Sequence, residues 1–139
     1  MARTTFNGPV VSQNGFIQGH QFTSANAVDA TGTATAAQVA DGYITSTSAA
    51  ATTITLPTGT ALGSLLGASR GTVLDLFIDN TAGASTVTVA VNTNAVLSSA
   101  AVDTAASFGD LTIASGATGI ARFTLMFSSA TAYTFTRTA

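Results

Sequence analysis

His20 is the chain's single histidine, and it stands between Gly19 and Gln21. General acid–base catalysis calls on a histidine or a perturbed carboxylate held close to a partner. Nothing around His20 offers one, so a structural or surface role is expected. Asp75 and Asp79 fall on one face of a strand-like run, four positions apart. At about 3.3 Å per residue that is roughly 13 Å, too far for two carboxylates to share a proton. A solvated face or an arginine partner is the expectation for both. The stretch DNTAG, 79–83, offers one Asp, one Asn and one Thr. That is fewer oxygen ligands than a calcium loop needs, and a turn is expected instead. The glycine-bearing stretches GASRG and SGATG have no lysine and no helical pattern after them, so neither reads as a phosphate loop. No Ser or Thr sits in a nucleophile elbow or beside the histidine. The expectation is a chain that is not an enzyme and that carries no cofactor and no metal.

The composition explains why chemistry is so scarce. Among 139 residues only 7% are charged, with no Lys and no Glu. The cations are Arg3, Arg70, Arg122 and Arg137; the anions are Asp29, Asp41, Asp75, Asp79, Asp103 and Asp110. Average soluble domains carry about 25% charged residues. A surface built instead from Thr, Ser, Ala, Gly and Asn resists association weakly, which fits a protein largely covered by partners or a Thr-rich β-protein. Four scattered arginines and a net charge of −2 do not make the basic cluster that releases counterions from nucleic acid, so no nucleic-acid partner is expected. Cysteine is absent, which removes disulfides and thiolate metal sites. No apolar run approaches the ~18 residues of a spanning helix. The opening MARTTFNGP has no signal-peptide core. A chain made in the cytoplasm, with no membrane partner, is expected.

The elements that would position these residues are mostly strands. Residues 23–40 are small and polar with no clear period and read as a connecting segment. From 41 the alternation typical of strands sets in. Ile54 and Leu56 share one face of ATTITLP until Pro57 ends the ladder. TALGSLLGA, 60–68, allows one short helical turn, which Gly63 and Gly67 keep short; a loop dropping Leu62, Leu65 and Leu66 over an end of the core is the stronger expectation. In VLDLFIDN, Leu74, Leu76 and Ile78 face inward; in TVTVAVNTN, Val87, Val89 and Val91 do. Their spacing predicts an antiparallel hairpin with a long loop. Weaker strands follow at AVLSS and around 108–113. GIARFTLMF puts Ala121, Phe123, Leu125 and Phe127 on one face, and YTFTR closes the chain with Tyr133 and Phe135 inward. About eight strands at roughly ten-residue spacing predict an all-β, antiparallel β-sandwich or jelly-roll-like barrel over 41–139.

The first 22 residues read as an irregular N-terminal arm. In FNGPVVSQNGF, Asn14-Gly15 is a strong two-residue turn signal. Pairing about that turn sets Gln13 against Phe16, Ser12 against Ile17 and Val11 against Gln18, and neither side becomes cleanly apolar. Pro9 cannot donate into a ladder, and an isolated hairpin is marginal in water. Phe6, Pro9, Val10, Val11 and Phe16 are therefore candidates for contact with another subunit.

Taken together, ITLP, VLDLFIDNTAGASTVTVAV, SGATGIARFTLMF and SSATAYTFTR resemble β-sandwich proteins of tailed-bacteriophage particles, of the capsid decoration, or cement, type. The cues are a Leu-Pro strand end, an F-x-x-N-x-x-G hairpin, a glycine turn before an Arg-Phe strand and a terminal Tyr-Thr-Phe strand. FNGPVVSQNGF is similar to the N-terminal segment of such proteins. The resemblance implies a structural virion protein, made in the host cytoplasm, that forms homotrimers on the capsid surface. It would bind the major capsid protein where capsomers meet and stabilise the head. A tail-fibre or host-recognition β-module is the alternative.

Overall fold

The computed structural model describes residues 26–98 and 111–139. They hold nine strands and two helices. In chain order they are β1 Gly32–Thr33, α1 Ala36–Ala40, β2 Tyr43–Thr45, β3 Thr52–Thr55, α2 Gly59–Leu66 and β4 Val73–Asp79. Then come β5 Val87–Ala90, β6 Ala95–Leu97, β7 Thr112–Ile113, β8 Ile120–Ser129 and β9 Ala132–Arg137.

The strands make two sheets, β1-β3-β5-β7 and β2-β4-β8-β9-β6. From β1 to β8, each strand lies in the opposite sheet from the one before it. Three of the neighbouring pairs within the sheets are then second-nearest strands running in the same direction. Accordingly β1 and β5 flank β3 in parallel, and β2 lies parallel to β4. Antiparallel pairing joins β4 to β8, β8 to β9 and β5 to β7.

The all-β, antiparallel sandwich or jelly-roll expected from the sequence is therefore corrected. Both sheets are mixed, and two helices belong to the fold. The expected hairpin of 73–80 with 86–94 is corrected too, because β4 and β5 lie in different sheets. Period-2 alternation reports which side chains are buried. It does not report which strand lies alongside or which way it runs.

The buried faces of β3, β4, β5, β8 and β9 were legible, whereas those of β2 and β7 were not. Ile44, Ile54, Leu56, Leu76, Ile78, Val87, Val89, Ile113, Ala121, Phe123, Leu125, Phe127, Tyr133 and Phe135 belong to one core cluster to which both sheets contribute. Phe123 meets Phe135 edge to face at 6.2 Å between ring centres, and Phe127 meets Tyr133 at 5.3 Å. Tyr133 keeps its hydroxyl satisfied by donating to the Pro57 carbonyl at 2.7 Å. Val91, expected inward, is about half exposed just past the end of β5.

Both helices correct local expectations. Within the stretch read as a connector, 26–40 carries β1 and α1. Thr35 caps α1 by accepting from the Gln38 backbone N–H, while the Gln38 side chain accepts from the Thr35 N–H. Val39 is buried against the core. The stretch 60–68, expected as a loop or at most one short helical turn, instead carries most of α2, which is capped by Thr58 and ended by Gly67 in the left-handed region at φ 59°. The glycines serve close approach. A Cβ on Gly63 would lie 2.0 Å from the Ala130 carbonyl oxygen, and one on Gly59 would lie 2.3 Å from that of Thr131. Packing of α2 against the β8–β9 turn offsets the propensity cost of about 1 kcal/mol per glycine. Leu62 is fully buried and Leu66 partly, whereas Leu65 is half exposed.

Candidate functional site

The five-stranded sheet buries one face and presents the other. Along β4 the inward Leu74, Leu76 and Ile78 alternate with Val73, Asp75, Phe77 and Asp79. Along β8 the inward Ala121, Phe123, Leu125 and Phe127 alternate with Ile120, Arg122, Thr124, Met126 and Ser128. Strand register aligns the outward residues in rows across the sheet. Val73, Met126, Thr134 and Val96 form one row. Asp75, Thr124 and Thr136 form the next, and Tyr43, Phe77 and Arg122 the third. Thr45, Asp79 and Ile120 complete the face.

Row one, and Ile120 in row four, expose apolar side chains where water would favour polar groups. Val73 is 56% exposed, Met126 52%, Ile120 51% and Val96 48%. Four of the six large apolar residues that the described residues expose thus share this one surface.

Between them runs a polar middle. Arg122 Nη2 donates to Asp75 Oδ2 at 2.6 Å, and Thr124 Oγ1 donates to Asp75 Oδ1 at 2.7 Å. The Arg122 guanidinium also lies 5.8 Å from the Phe77 ring centre. Both ion-pair partners are more than a third exposed, so the pair adds at most about 1 kcal/mol, and it orients more than it stabilises.

Asp79 is held differently. It accepts from the Tyr43 hydroxyl at 2.5 Å, and from the Thr81 hydroxyl and backbone N–H at 2.7 and 2.9 Å. Burial alone would raise its pKa; the hydrogen bonds from Thr81 and Tyr43 outweigh that and hold it below the usual carboxylate range. The same bond to Asp79, reinforced by burial, pushes Tyr43 up to about 12. The two aspartates thus have separate partners, an arginine for Asp75 and a tyrosine for Asp79.

The DNTAG stretch forms a turn, as expected, and anchors the end of this face. Asn80 is fully buried and donates through Nδ2 to the carbonyls of Ser85, Ile113 and Ala114. Gly83 is required beside it, since a Cβ there would lie 2.0 Å from Asn80 Oδ1. The stretch crosses from one sheet to the other rather than closing a hairpin.

The candidate contact residues Phe6, Pro9, Val10, Val11 and Phe16, like His20, lie outside the described residues. The first described residues run along the edge of this sheet: Ala27 bridges Thr45, and the Val28 N–H donates to the Thr45 carbonyl at 2.9 Å beside β2. Of the residues of the face, the sequence singled out Asp75 and Asp79, with a solvated face or an arginine partner expected; Asp75 has that partner in Arg122, and the apolar residues were not singled out. A signal was present, because the outward positions of β4 and β8 carry Val73, Phe77, Ile120 and Met126 where a solvated strand face carries polar residues. Among the described residues no group of three or more His, Cys, Asp or Glu is placed to hold a metal.

Comparison with protein-family models, with curated proteins and with solved structures finds no match to this chain.

Proposed function

We propose that the chain is a structural virion protein that decorates and stabilises the exterior of a tailed-bacteriophage capsid by bridging major capsid proteins. It works as a homotrimer and is made in the host cytoplasm. The observation that most supports this reading is the outer face of the five-stranded sheet. Val73, Met126, Ile120 and Val96 stand exposed on one sheet surface, in a chain with only 7% charged residues. Clustered exposed apolar side chains mark surfaces that meet other proteins. The resemblance of the strand sequences to decoration proteins supplies the partner class.

Attachment to the shell runs through the N-terminal arm. Deleting residues 1–16 abolishes co-sedimentation with empty capsids that lack this protein, while the remaining domain still melts cooperatively. Undiminished binding by the truncated chain would remove the arm from the account, and failure of the intact chain to bind any capsid would remove the whole reading.

One observation favours the alternative, a tail-fibre or host-recognition module. Tyr43 and Phe77 are direct cross-strand neighbours beside Arg122 and Asp75. Aromatic rings flanked by hydrogen-bonding groups are suited to stacking against a sugar. Saturable binding to host-cell glycans, with no binding to capsids, would select that alternative.

A further inference from the structure

We draw no further inference here: the strongest candidate, the outer face of the five-stranded sheet with Val73, Val96, Ile120 and Met126 exposed, carries none because nothing in the structure shows what covers it.

Discussion

Asn80 shows how one polar side chain fixes the crossing between two sheets. Its amide nitrogen donates to three carbonyls, two of them at 113 and 114, and no part of it reaches solvent. Asn80→Asp keeps the shape but aims a carboxylate at those carbonyls. Stranding buried polar groups costs about 1–3 kcal/mol apiece, so thermal melts of Asn80→Asp are expected to show a loss of at least about 3 kcal/mol. A wild-type melting temperature would show that the crossing does not depend on this amide. The two tyrosines carry a second residue-level consequence. The hydrogen bond to Asp79 pushes Tyr43 up to about 12, and burial also raises Tyr133. A raised folded pKa means the folded state keeps its proton longer than the unfolded chain, whose tyrosines titrate near 10. This contribution to stability is complete below about pH 10 and is lost as pH climbs through the folded values. Phenolate absorbance at high pH is expected to appear late, together with unfolding. Titration of either tyrosine near pH 10 in folded protein would contradict the geometry. For Asp79 the sign is opposite: its contribution is present above the ordinary carboxylate pKa of about 4 and fades in acid below it.

Elements were legible where burial alone defined them. β8 and β9 were readable because Ala121, Phe123, Leu125 and Phe127 alternate without interruption and SSATA supplies a turn. Their partner choice was readable too, since consecutive strands joined by a tight turn pair with each other. β4 and β5 look equally regular, yet a turn built on Asn80 and Gly83 carries the chain to the opposite sheet. Nothing in their alternation distinguishes the two outcomes. α2 was hidden for another reason: its glycines look like helix breakers until the Ala130 and Thr131 carbonyls are seen against them. Gly63→Ala therefore separates intrinsic preference from packing. Propensity alone favours alanine by about 1 kcal/mol. The clash favours glycine, and the substitution is expected to cost about 1–3 kcal/mol in denaturant unfolding. A stabilised variant would place α2 farther from the β8–β9 turn than the structure does.

At the scale of the whole molecule, a well-packed core supports a sheet whose outer face exposes four large apolar side chains around a polar middle. The inward residues of its β4, β8 and β9 could be read from the sequence, whereas the outer face emerged only when register placed Val73, Met126 and Val96 in one row. The arm residues Phe6, Pro9, Val10, Val11 and Phe16 came from composition and turn chemistry, and lie outside the described residues. The central claim, attachment to the outside of a phage head, is tested most directly by a density map of the assembled particle, taken with and without this protein. The account predicts three-fold density on the outer capsid surface where capsomers meet, absent from particles that lack the chain. Density at the tail, or no difference between the two maps, would contradict it.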